Sequence, residues 1–251
     1  MAIHAAANYR VRALGVTFSG RQAEWAQRAI ANIGLAERAQ VRLLDYRDLT
    51  ERNFDAISSI GVMEHFDSRQ FGSHFASMAS RLRSTGRMLN HCITPPADRE
   101  RTRAGPLIDR HIFPDGELQG LGTVDAAIHD HGFEVRHSEN LREHYARTLS
   151  HRSANLERSW PQALAEVGER SARAWRLYMA APRVGFELGR IQVHQILAVK
   201  HRPNGCSGTA PRPNSDRRPA DPEIRVNNNG FATGGVMIRR ANPSVSSHLQ
   251  G

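Results

Sequence analysis

Two residue types are nearly missing from this chain. Cysteine occurs only twice, as Cys92 and Cys206, which is too few for a disulfide scaffold or for a zinc site built on thiolates. Lysine occurs once, at Lys200, so 33 of the 34 basic side chains are arginine. No apolar run approaches the roughly 18–20 residues that span a bilayer, and the first residues lack the charged, apolar and cleavage-site layout of a secretory signal. The expectation is therefore a cytoplasmic protein. Aromatic residues make up only 6%, and the arginines are scattered rather than gathered into a basic stripe interleaved with aromatics. A nucleic-acid groove needs such a stripe, so nucleic acid is not an expected partner despite the net charge of +9. Weak attraction to an anionic membrane surface fits the charge better, at about 1 kcal/mol for each basic group near the surface.

What is present divides sharply near residue 200. Residues 1–200 alternate helical patterns with short apolar runs and read as one domain, ending in the strand-like IQVHQILAVK at 191–200. Residues 201–251 are rich in Pro, Gly, Asn and Arg and show no hydrophobic period, so they read as a disordered tail. In the body, strands are expected at Arg12–Val16, Val41–Leu44, Phe54–Ile60 and Arg87–Ile93, with helices at Gln22–Ile33 and Ser68–Leu82. That rhythm predicts an α/β fold with a mostly parallel sheet covered on both faces. In such sheets ligands collect beyond the carboxyl ends of the strands, where strand order reverses.

The residues at those ends are chemically pointed. Thr17, Ser19 and Gln22 follow the first strand at a helix start, a pattern that equally describes a helix cap. Asp45 and Tyr46 follow the second, as an acid and a stacking ring or as a solvated turn. Ile60 closes the third, with Glu64 just beyond, and His91 ends the fourth. Glu64 and His91 are expected to face one crevice, as a site or as a structural pair. Tyr145 reads as a buried aromatic; Trp175, Tyr178 and Phe186 read as core or as pocket wall.

Together, GVTFSGRQ (15–22), LLDYRDL (43–49), FDAISSIGVMEHF (54–66), MLNHCI (88–93), IDRHIFPDGEL (108–118), HGFEV (131–135), ENLREHYARTL (139–149), RAWRLYM (173–179) and QVHQILAVK (192–200) resemble the cyclopropane-fatty-acyl-phospholipid synthase family, which includes the mycolic acid cyclopropane synthases. The resemblance implies a Rossmann-like class I methyltransferase fold and S-adenosyl-L-methionine as methyl donor. It also implies an unsaturated acyl chain of a membrane lipid as substrate and a bicarbonate held by Glu64, His91 and Tyr145. By the same resemblance Thr17, Ser19, Gln22, Asp45, Tyr46 and Ile60 contact the cofactor, and IFPDG (112–116) is a turn shaping a substrate-covering segment.

The chain departs from the family's pattern as well. The family's first strand and glycine-rich loop, of the type DIGCGWG, belong just before AIHAAANYRV, where this chain has Met1. The expectation is an N-terminally truncated domain whose sheet either closes across a central gap or exposes two apolar edges. Asn90 replaces an apolar residue, Arg152 stands in a tryptophan's usual place, and Pro182 is expected to interrupt a helix. The alternatives are an inactive remnant of the family, or a methyltransferase making a methyl-branched lipid or acting on another small molecule.

Overall fold

A computed structural model of the chain describes residues 1–65, 67–96, 98–99, 101–103, 117–201 and 234–240. IFPDG (112–116), with most of the segment around it, lies outside the described residues. Helix α1 (Ala2–Tyr9) leads into β1 (Val11–Thr17), α2 (Gly20–Asn32) and β2 (Ala39–Leu43). Next come β3 (Phe54–Ile60), α3 (Phe71–Arg81) and β4 (Leu82–Thr94). Strands β5 (Arg101–Arg103) and β6 (Glu117–Gln119) pair antiparallel in a small separate sheet. Then follow α4 (Leu121–Asp130), β7 (Phe133–Asn140), α5 (Arg142–Arg158), α6 (Trp160–Glu187), β8 (Gln192–Lys200) and β9 (Gly234–Arg240).

The main sheet has seven strands in the order β2-β1-β9-β3-β4-β8-β7. β1 pairs parallel with β2 and β3 with β4, while β9 runs antiparallel to both β1 and β3. β8 is antiparallel to β4 and to β7, so five of the seven strands point one way and only β8 and β9 are reversed. This is the mostly parallel sheet that the alternation of strands and helices predicts.

Periodicity explains the layers. On α3 the buried residues Phe71, His74, Phe75 and Met78 recur at helical spacing and meet Ile57 and Met88 of the sheet in the main core. On the opposite face, α1 buries Ala2, Ile3, Ala5 and Ala6 in a second cluster with Ala13 and Ile30. A third cluster, from Leu149, Phe186 and Val193, packs α5 and α6 against β8. Lys200 Nζ donates to the carbonyls of Ala79 (2.6 Å) and Leu82 (3.0 Å), so the single lysine closes the carboxyl end of α3.

Two expectations need correction. Residues 234–240 are not structureless: they form β9, at the centre of the sheet. GGVMIRR finds no partner near it in sequence, but between β1 and β3 it gains a ladder on both sides. Val236 and Ile238 pack against the α1 cluster and Met237 joins the main core, so both faces of the strand lose water. The sheet thus neither closes across a gap nor leaves two edges bare there. The second correction concerns Pro182, which is buried inside α6 without interrupting it. The break falls at Gly168 (φ 74°, ψ 163°), a conformation open to glycine almost alone.

Candidate functional site

A cavity of about 470 Å³ opens beside the carboxyl ends of β1 and β3, under α3. Its volume lies in the range of ligand pockets, roughly 300–1,000 Å³. Thr17, Ser19, Gln22 and Tyr46, four of the expected cofactor residues, line it. The first three form one knot. Thr17 Oγ1 donates to Gln22 Oε1 at 2.8 Å, and the Ser19 amide donates to Thr17 Oγ1 at 3.2 Å. The Gln22 amide donates to Ser19 Oγ at 3.3 Å, so Ser19 is also the cap of α2. Cap and cavity contact are both real for this residue.

Tyr46 is half-buried, with its phenol pushed up by that burial. Its ring meets His74 edge-on at 5.1 Å between centroids. His74 reaches Ser59 Oγ at 3.4 Å, and burial pushes its pKa down to about 4, so the imidazole is neutral. Asp45 and Ile60 do not line the cavity. Asp45 is turned into its own loop: Oδ1 accepts from the Arg47 amide at 2.8 Å and Oδ2 pairs with Arg47 Nη2 at 2.5 Å. The bond to Arg47 holds the Asp45 carboxyl below the usual range. Ile60 pairs with His91 and Gly234, and Gly61 and Val62 line the cavity in its stead. Gly61 adopts φ 61°, which turns the chain out of β3, and its amide donates to the His91 carbonyl at 3.0 Å.

That turn places Glu64, which is only 4% exposed. Its Oε1 accepts from the Ile93 amide at 2.7 Å, which pins the carboxyl onto β4 two residues past His91. Oε2 has no hydrogen-bond partner among the described residues. Burial raises the Glu64 carboxyl to about 7. His91 Nδ1 is likewise buried without a partner among the described residues, and burial lowers its basicity. The His91 ring lies 5.7 Å from that of Tyr145, which in turn meets Phe186 edge-on at 5.2 Å. Arg152 sits over the Tyr145 ring at 5.9 Å. The structure therefore brings His91 and Tyr145 into ring contact and holds Glu64 on the same strand end.

Several members of this constellation were not legible as site residues. Tyr178 is buried, and burial, then the neighbouring Tyr145 and Glu64, push its phenol up. Its ring meets that of Trp175 edge-on at 5.5 Å between centroids. His74 and Ser59 line the cavity, as do Gly235 and Met237 from β9. For His74 a signal existed, a polar residue within the apolar stripe of α3; for β9 there was none.

The sheet, with its cavity at the carboxyl edge, matches solved structures of the class I, S-adenosylmethionine-dependent methyltransferase fold. Two solved structures share it at the level of sequence as well. The cyclopropane synthase MmaA2 from Mycobacterium tuberculosis is 27% identical with a TM-score of 0.70, over 78% of this chain and 72% of that one. The mycolic acid cyclopropane synthase CmaA1, complexed with SAH and CTAB, is 30% identical with a TM-score of 0.70, over 78% and 73%. A model of the mycolic acid cyclopropane synthetase family matches residues 1–196, and the chain belongs to that family. A Mycobacterium tuberculosis protein named "probable fatty acid methyltransferase" is 47% identical over 208 residues, which is 83% of this chain and 49% of the relative. The cyclopropane-fatty-acyl-phospholipid synthase of Escherichia coli K12 is 28% identical over 205 residues, 82% of this chain and 52% of that protein. The chain thus spans about half the length of these two curated relatives.

Proposed function

We propose that this protein transfers a methyl group from S-adenosyl-L-methionine to the double bond of an unsaturated acyl chain in a membrane lipid. The observation that carries the reading is a pair of features beyond the strand ends. One is buried Glu64, with His91 and Tyr145 in ring contact; the other is a cavity of cofactor size lined by Thr17, Ser19, Gln22 and Tyr46 but not by Glu64, His91 or Tyr145. Family membership supplies the chemistry: the cofactor brings a sulfonium-bound methyl group that an alkene can attack. An alkene is a weak nucleophile, so the protein's part is to hold the chain in line and exclude water.

The residues present fit the cofactor. Tyr46 offers a ring for the base, and Thr17, Ser19 and Gln22 offer hydroxyl and amide groups. Asp45 pairs with Arg47, and Arg47 itself lines the cavity. We further propose that Glu64, His91 and Tyr145 hold a bicarbonate, a reading supported by Glu64 Oε2 and His91 Nδ1, which have no partner among the described residues. His91 and Tyr145 can donate to it, and Glu64 can accept from it. When the methyl group adds to the alkene, one proton must leave before a ring closes, and this cluster is where that proton is received. The net charge of +9 favours contact with an anionic membrane surface, where the substrate resides.

A second reading, methyl branching without ring closure, is equally compatible with the name of the 47%-identical relative, which specifies a fatty acid methyltransferase and no product. Incubation with S-adenosyl-L-methionine and an unsaturated phospholipid separates the two by mass spectrometry and proton NMR. Cyclopropanation adds one methylene and abolishes the olefinic signals, with ring protons appearing in their place. In the same assay Glu64→Gln and His91→Ala should lower turnover by about 10²–10⁴. Absence of transfer to acyl chains by the parent overturns the proposal, and unchanged turnover in both variants removes the anion assignment.

A further inference from the structure

The slot between β1 and β3 is where the strand order of the sheet reverses: β1 and β2 lie to one side, β3, β4, β8 and β7 to the other. A crevice for ligand opens at such a point, outside the carboxyl ends of the parallel strands. β9 fills this slot, and its antiparallel direction sets its first residues at that edge. Gly234 lies opposite Ile60, and Gly235 lies opposite both Val16 and Ser59.

We propose that β9 is the inner wall of the cofactor cavity, with Gly235 as the open floor that admits the ligand and Met237 as its apolar contact. This rests on the cofactor reading above. Alternation along the strand supports it: Gly235 and Met237 line the cavity, while Val236 and Ile238 turn to the α1 cluster. Glycine at 235 is not demanded by the backbone, because Gly235 is absent from the described glycines of positive φ. Nor is it demanded by crowding within the sheet. A Cβ there would meet the Ser58 carbonyl oxygen at 3.7 Å and Val16 Cγ2 at 4.0 Å, ordinary contacts. What remains for a glycine inside a strand is close approach of something else, and the cavity is what borders it. A side chain at this position grows into the ligand's space, the more so the larger it is.

The proposal is tested on the full chain in two measurements. Amide hydrogen exchange should find residues 235–239 protected to the level of β3; rapid exchange there overturns the placement of the strand, whatever binds. Calorimetric titration with S-adenosylhomocysteine should show Gly235→Leu weakening the affinity by at least about tenfold, with Gly235→Ala weakening it by a smaller factor. Parallel thermal melts are expected to match the parent. Should Gly235→Leu not fold, Met237→Ala serves instead, and an affinity equal to the parent's in the folded variant overturns the proposal. If the parent binds no S-adenosylhomocysteine while β9 stays protected, the cofactor reading fails together with the ligand half of this proposal. The strand's place in the sheet then stands.

Discussion

Glu64 and His74 are buried titratable groups with opposite proton linkages. The Glu64 carboxyl sits at about 7 in the fold against an ordinary 4.5, so the native state keeps a proton that the unfolded chain has released. Its contribution to stability is full below about 4.5 and is lost as the pH rises through 7. His74 sits at about 4 against 6.5, so its contribution is full above about 6.5 and is lost as the pH falls through 4. Between those limits the two slopes oppose and flatten the parent's profile. Relative to the parent, Glu64→Gln should therefore make stability climb more steeply from about pH 4.5 to 7, and His74→Asn should make it climb less steeply from about pH 4 to 6.5. Urea melts across that range decide it: profiles parallel to the parent's would show that these groups do not carry the linkage. Glu64 and His91 could be named from sequence because each follows directly on a strand and a motif marks it. The idle atom on each could not, since a missing partner is a property of packing.

At the scale of elements, Arg81 ties the loop from β2 to β3 to helix α3. Arg81, in the last turn of α3, donates through Nη2 to the Leu49 carbonyl at 2.7 Å and to the Arg47 carbonyl at 3.0 Å. Its Nη1 holds Ser77 Oγ at 2.6 Å, so the guanidinium bridges helix and loop beside the cavity. Only a planar fork reaches these acceptors together. Arg81→Met should cost about 1.5–3 kcal/mol by denaturant melts, and Arg81→Lys should recover less than half of it. Full recovery by lysine would mean that charge, not the fork, matters. Element positions were legible where period and punctuation agree: β3 is expected and found at Phe54–Ile60. The expected helix at Ser68–Leu82 begins instead at Phe71, because Asp67 caps a separate short turn over Ser68–Gln70. Its last residue, Leu82, already opens β4. β9 was invisible because its partners lie far off in the chain, as with Ser59 opposite Gly235.

For the whole molecule, charge and lipid chemistry point to the same place. Among the described residues no helix is long and apolar enough to cross a membrane. With a net charge of +9, binding to phosphatidylglycerol vesicles should exceed binding to phosphatidylcholine vesicles and should fade as salt rises from about 0.05 to 0.5 M, where screening shortens to a few ångströms. Co-sedimentation measures it, and salt-independent binding would point to apolar insertion instead. Sequence alone determined the α/β alternation, the family, and the residues that follow the strands, because these depend on short-range periodicity and on local motifs. Only the tertiary structure decided which of them share the cavity. It turned Asp45 away into a pair with Arg47, brought Tyr178 within electrostatic reach of Tyr145 and Glu64, and gave the centre of the sheet to residues 234–240. The Asp45–Arg47 pair is a contact between near neighbours in sequence, but the others depend on groups distant in the chain competing for buried space. Strand pairing and desolvation settle that competition, and no local pattern records it.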